Sequence, residues 1–194
     1  HGEPSDGDWV EVQDAKKTTV GFGHYQKGSI TARILVFGDE KPIPSIYSEK
    51  ISKAFEQRIK TFTSSESTNS YRLVHGEGDG LPGLIIDLYH DVAVLQAHSF
   101  GMQEDRAIIA VAIKEVFENR NAKLSAVYYK TLSEKSESEY LLGMAAVPHV
   151  IIEHSNKFYV DWEEGQKTGF FLDQRENRKL LGEMSKGKNV LNTF

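Results

Sequence analysis

A mixed α+β fold built from several units is predicted by three features of this chain. Strand-like alternations crowd its opening stretch, a middle block mixes strands with a long amphipathic helix, and the closing stretch runs strand, glycine turn, helix and strand pattern.

The opening elements are "DWVEVQD" (Asp8–Asp14), "VGFGHY" (Val20–Tyr25) and "ITARILVF" (Ile30–Phe37), separated by turn-like "AKK" and "QKGS". Three strands so closely spaced predict a small barrel over residues 1–40, although three are few for an independent barrel, and its start is expected to be missing. Residues 41–70 read as a helix and linker. In "SEKISKAFEQRIKTF", Ile51, Phe55, Ile59 and Phe62 recur at helical spacing, Ser48 is placed to cap, and polar Thr63–Ser70 follows.

Residues 71–156 predict a central α/β module. Its strands lie near Tyr71–Val74, Gly83–Tyr89, Val92–His98, Ala126–Thr131 and Pro148–His154. A helix near Gln103–Glu118 carries Ile109, Ile113, Val116 and Phe117 on one face. "SEKSESE" (Ser133–Glu139) reads as a solvated loop. In residues 157–194, Phe158, Val160 and Trp162 alternate along a strand, Glu163-Glu164-Gly165 turns, and "QKTGFF" returns. Asp173 with Glu176 three residues on reads as a capping box opening a helix striped by Leu180, Leu181 and Met184. Lys186-Gly187-Lys188 ends that helix, and a strand pattern begins at Asn189.

Composition narrows the function classes. With 39% hydrophobic and 10% aromatic residues the chain can bury a core, so a disordered tail is excluded. No apolar run approaches the roughly 18 residues of a membrane-spanning helix, so no membrane partner is expected. Zero cysteines exclude disulfides, thiolate metal sites and a cysteine nucleophile within these residues, and permit a cytoplasmic location. A net charge of −5 argues against a generally basic nucleic-acid binder but allows a local basic patch.

"HGEGDGLPG" spells G-x-G-x-x-G at Gly78, Gly80 and Gly83. A phosphate cradle would open into a helix, whereas Leu84-Ile85-Ile86 reads as a strand, so the stretch predicts a turn between strands. No metal site is expected, because His149 and His154, the closest histidine pair, fall on opposite faces of a strand.

"GQKTGFFLDQRENR" followed by "KNVLNTF" resembles the family of S-adenosylmethionine-dependent ribosomal RNA (cytosine-C5)-methyltransferases that carry an N-terminal PUA domain. "GDWVEVQD…GFGHYQKGSITARIL" resembles its PUA-like barrel, and "YRLVHGEGDGLPGLIIDLYHDVAVLQ" its central module. The resemblance implies a partial PUA-like barrel, the central α/β module and the first elements of a Rossmann-like methyltransferase domain. The family's catalytic cysteine is absent here, so the chain is expected to be an inactive fragment of an enzyme acting on large-subunit ribosomal RNA.

The resemblance further implies that Gln166–Arg178 packs beside the S-adenosylmethionine site. Phe170 and Phe171 would form an apolar wall, or simply join the core. Asp173 serves first as a helix cap and otherwise as a cofactor or RNA contact. Gln174, Arg175 and Arg178 fall on the first helical turns, where solvent exposure is the default; Gln174 is a candidate for cofactor, and Arg175 and Arg178 for RNA phosphate. Asn192 would end the first catalytic strand, where open α/β sheets place ligands. Tyr25, Lys27 and Arg33 are candidates for RNA contact in the barrel, by base stacking and phosphate pairing. Two other classes remain open: a non-catalytic RNA-binding or assembly module, and a nucleotide-binding protein using Gly78–Gly83.

Overall fold

The computed structural model describes residues 3–62, 67–132 and 137–191. Strands β1 (Trp9–Gln13), β2 (Thr19–Tyr25) and β3 (Ala32–Phe37) lie where the alternation places them and form an antiparallel sheet in the order β1-β2-β3. Helix α1 (Ile46–Phe62) follows. It starts earlier than expected, so Ser48 is no cap. The Glu49 amide donates to the Ser45 carbonyl at 2.9 Å and Ser45 Oγ donates to Glu49 Oε1 at 2.9 Å, placing Ser45 at the helix mouth.

The centre is a five-stranded sheet in the order β4-β5-β6-β7-β8: β4 (Ser70–His75), β5 (Leu84–Tyr89), β6 (Val92–Ala97), β7 (Ala126–Tyr129) and β8 (Glu139–Gly143). Among the described residues only β6 and β7 pair in parallel, joined by the crossover through α2 (Phe100–Glu104) and α3 (Arg106–Glu118). Strand β8 differs from the sequence expectation, which places Glu139 at the end of a solvated loop; residues 133–136 of that loop lie outside the described residues, as do 63–66 of the linker. The single helix expected from Gln103 is two helices broken at Asp105. The Asp105 carboxylate is drawn aside, accepting from Trp9 Nε1 at 3.2 Å and from the Tyr47 hydroxyl, and meeting His24 Nε2 at 3.1 Å. Burial alone would raise this carboxyl's pKa, but the contacts from His24 and Tyr47 outweigh it and hold the group below its ordinary value.

Strand alternation builds two cores. Leu84, Ile86, Leu88, Ala93, Leu95, Val127 and Tyr129 face α1 and α3, meeting Ile51, Phe55, Ile109, Ile113, Val116 and Phe117. The intervening Tyr89, Val92, Val94, Ala126 and Tyr128 face the opposite way, onto Ile151, Val160 and Trp162. The antiparallel pair β9 (His149–Glu153) and β10 (Asn156–Val160) supplies that second cover.

The glycine-rich stretch connects the antiparallel neighbours β4 and β5. A 3-10 turn occupies Gly76–Asp79, Gly80 and Gly83 adopt φ of +69° and +81°, and Gly83 leads into a strand, not a helix. Glycine takes this left-handed backbone at both without the strain a side chain would add.

Candidate functional site

The expected return of "QKTGFF" as a strand does not occur. Strand β10 already has β9 as its partner, and residues 161–171 instead wind into tight turns. The Gly165 amide donates to the Asp161 carbonyl at 3.0 Å, and Asp161 Oδ1 accepts from the Glu163 and Glu164 amides at 2.9 and 3.0 Å. A Cβ at Gly165 would stand 2.1 Å from that same carbonyl, and Gly169 holds φ +119°, so the two glycines permit the loop to close on itself.

Side chains on the sheet face beneath fasten this loop. Asp87, fully buried on β5, accepts from Thr168 Oγ1 at 2.6 Å and takes both Arg72 donors, Nε at 2.8 Å and an Nη at 3.0 Å. Thr168 gives its one proton to Asp87, so the Tyr89 hydroxyl donates to Thr168 Oγ1 at 2.8 Å. Burial, and then the Asp87 carboxylate, push the Tyr89 hydroxyl well above its ordinary pKa, which keeps it a donor. The Asp87 hydrogen bond raises the Arg72 guanidinium's pKa and holds its charge. Gln96 Nε2 donates to the Lys167 carbonyl at 3.3 Å, and Lys130 Nζ donates to the Gly165 carbonyl.

Downstream, a 3-10 turn at Leu172–Gln174 precedes α4 (Arg175–Ser185). Arg178 grips Glu153 of β9 bidentately, Nε and an Nη each at 2.7 Å, while its other Nη donates to the Phe171 carbonyl at 2.8 Å. Its guanidinium lies 4.3 Å from the Phe170 ring centre and 5.7 Å from that of Phe158. Arg175 lies 3.7 Å from the same carboxylate and donates to the Ser70 carbonyl at 2.6 Å. Burial lowers the Arg175 pKa, against the pull of Glu153. The expected solvent exposure of Arg175 and Arg178 is therefore corrected: Glu153, 1% exposed, pulls both inward.

The capping box is corrected too. Asp173 is exposed, lies in the 3-10 turn and makes no capping hydrogen bond, because that turn sets the helix start two residues later. Replacing Asp173 with alanine should therefore shift stability by no more than about 0.5 kcal/mol in denaturant melts, as at an ordinary surface position.

The remaining candidates fall into two groups. Phe170 is half-buried against Phe158, whereas Phe171 is 39% exposed, with Lys167 Nζ 4.5 Å from its ring centre. Gln174 is exposed and accepts from Asn177 at 2.7 Å. Tyr25 ends β2, Lys27 is exposed in the following turn, and half-buried Arg33 donates to Gln26 Oε1 at 3.1 Å. Asn192 lies outside the described residues, and Asn189–Leu191 before it form no strand. Sequence reasoning missed Arg72, Asp87, Tyr89, Thr168 and Glu153, for they meet across separations of up to 81 residues. One local signal was available: a lone aspartate in the otherwise apolar "LIIDLY".

Comparison with known proteins adds to this geometry. Residues 1–37 match a family model described as a PUA-like domain. All of the chain aligns with "Ribosomal RNA large subunit methyltransferase I" of Shewanella amazonensis, 33% identical over 203 residues, and of Aeromonas hydrophila, 31% identical over 198, covering 50% of each. Among solved structures, "A putative sam-dependent methyltransferase from Streptococcus mutans" superposes with a TM-score of 0.76 at 23% identity, over 93% of this chain and 46% of that one. A second, complexed with SAH, gives 0.77 at 23% identity, over 91% of this chain and 45% of that one. The chain thus shares its fold with part of these structures, opens with a PUA-like match, and spans about half the length of the curated relatives it matches.

Proposed function

We propose that this chain is part of an S-adenosylmethionine-dependent methyltransferase acting on cytosine C5 of large-subunit ribosomal RNA, in the cytoplasm. The observation that carries this is the segment from Gly165 to Arg178. It is fastened to the sheet at Asp87 and at Glu153, and it leaves Phe171 and Asp173 facing outward. The alignment of the whole chain with methyltransferases of ribosomal RNA supports the same reading.

Division of labour follows from the residues present. Phe171, exposed beside Lys167, fits an apolar wall for the cofactor, with half-buried Phe170 backing it, and Asp173 and Gln174 offer polar edges. Bound there, S-adenosylmethionine supplies an electrophilic methyl group. Arg175 and Arg178 hold α4 through Glu153, and in doing so position the segment for RNA as well as cofactor. Tyr25, Lys27 and Arg33 in the PUA-like region present an aromatic ring and cations suited to bases and phosphates.

Methylation at cytosine C5 needs a nucleophile at C6 to make C5 electron-rich, and this chain has no cysteine to provide it. The nucleophile is therefore assigned to the half of the relatives that this chain does not match. The exposed apolar stripe Leu180, Leu181 and Met184 on α4 is the surface we assign to packing against that half.

Product mapping tests the reading. This chain, and the same chain extended by the half that its relatives add, are incubated with unmodified large-subunit ribosomal RNA and labelled methyl donor. The extended protein should yield 5-methylcytidine and the short chain none. Methylation at another atom would remove the C5 assignment, and no transfer by the extended protein would favour a non-catalytic RNA-binding or assembly module.

A further inference from the structure

We propose that His90, Asp91 and His149 form a binding site for a divalent transition-metal ion, with zinc the best fit. His90 and Asp91 occupy the tight turn between β5 and β6, and His149 opens β9, so a shared ion would tie the second sheet to the central one. One ligand atom from each of the three lies within 4.8 Å of the others. Asp91 Oδ1 stands 3.3 Å from His149 Nε2 and 3.6 Å from His90 Nδ1. Donors about 2.0–2.1 Å from a tetrahedral ion sit about 3.3 Å apart, so both Asp91 distances lie near the zinc geometry, and the two imidazole nitrogens, within 4.8 Å of each other, would draw in on the ion.

The bonding around Asp91 points the same way. Its Oδ2 is taken up by Lys123 Nζ and Ser125 Oγ, each at 2.6 Å. Its Oδ1 is buried without a hydrogen bond, as is His149 Nε2, although the two atoms face each other. One carboxylate oxygen is thus fixed by outer contacts while the other is left to the imidazoles, the arrangement by which outer partners orient a metal ligand. The Asp91 side chain is 6% exposed and that of His149 20%, whereas His90, at 52%, leaves an approach from solvent. Lys123, 74% exposed, can swing away from an incoming cation and leave Ser125 to hold Oδ2. The His90 backbone adopts φ +58° and its amide donates to the Asn69 carbonyl at 2.9 Å, which fixes the main chain of the turn. Two imidazoles and a carboxylate leave a fourth position for water.

The buried Trp162 ring centre lies 5.4 Å from that of His149 and provides an optical reporter. The experiment uses the tag-free chain titrated with zinc chloride by calorimetry, and with cobalt(II) followed by visible absorption and tryptophan fluorescence. One zinc should bind, the melting temperature should rise, and cobalt should give tetrahedral d–d bands with quenching of Trp162. His149→Ala and His90→Ala should each weaken zinc at least about tenfold and abolish the thermal shift. His75→Ala, at an exposed histidine outside the cluster, should leave binding unchanged. His90→Ala, on a half-exposed turn, keeps the test decisive if His149→Ala unfolds. Absence of saturable zinc binding to the intact chain, or binding that survives both His90→Ala and His149→Ala, overturns the proposal and leaves the cluster an ion pair.

Discussion

Glu153→Ala should destabilise the protein by about 3–5 kcal/mol, the range for removing one partner from a buried charge cluster. Glu153 is 1% exposed and answers two guanidiniums, Arg178 through two bonds of 2.7 Å and Arg175 at 3.7 Å. Its loss removes the carboxylate that both half-buried cations share, leaving Arg178 the Phe171 carbonyl and the rings of Phe170 and Phe158. The first turn of α4 should then detach from β9. Urea melts give the magnitude, and hydrogen exchange across residues 171–180 should show protection lost there while β5 and β6 keep theirs. A neutral result would mean that α4 is held by something other than these pairs.

Asp87→Ala comes next in expected effect. It removes the acceptor for Thr168 and for both Arg72 donors. We expect a loss of about 2–3 kcal/mol, below the ~3–5 kcal/mol of a fully buried pair, because Arg72 is 38% exposed and water can take over its solvation. Thr168 and Tyr89 would retain each other, so the loop should loosen without leaving the sheet. Limited proteolysis provides the readout: cleavage near Lys167 should accelerate in Asp87→Ala. In Thr168→Val, which keeps the Arg72 pair, cleavage should rise while global stability changes less. Equal protection in Asp87→Ala and the wild type would show that Asp87 does not hold the loop.

The alternating strands and the α3 stripe were legible because both are local: Val94, Leu95, Ile109 and Ile113 all face where their period puts them. Strand β8 escaped because it follows a charged run and its burial depends on β7 beside it. Local rules also misled where distant partners overrode them. Asp173 and Glu176 spell a capping box, yet the helix start is set by a 3-10 turn and by Arg178 reaching Glu153. Asp105 sits in an otherwise helical pattern and interrupts it because Trp9, His24 and Tyr47 converge on its carboxylate. The fastening of the "QKTGFF" loop lay beyond local reading for the same reason, since Asp87 and Thr168 are brought together only by the packed sheet. His90 and His149 likewise meet only in the fold; the pair nearest in sequence, His149 with His154, predicts no metal site.

Calorimetric titration with S-adenosylmethionine tests the central claim most directly, that residues 165–178 form one wall of a cofactor site completed elsewhere. Phe171 and its neighbours can shield one side of a ligand, and a single wall excludes little water and fixes little orientation. The chain alone should show no measurable binding at submillimolar concentrations. The chain extended by the half its relatives add should bind clearly, and Phe171→Ala should weaken that binding. Tight binding to the short chain, or extended-protein binding indifferent to Phe171→Ala, would contradict the account.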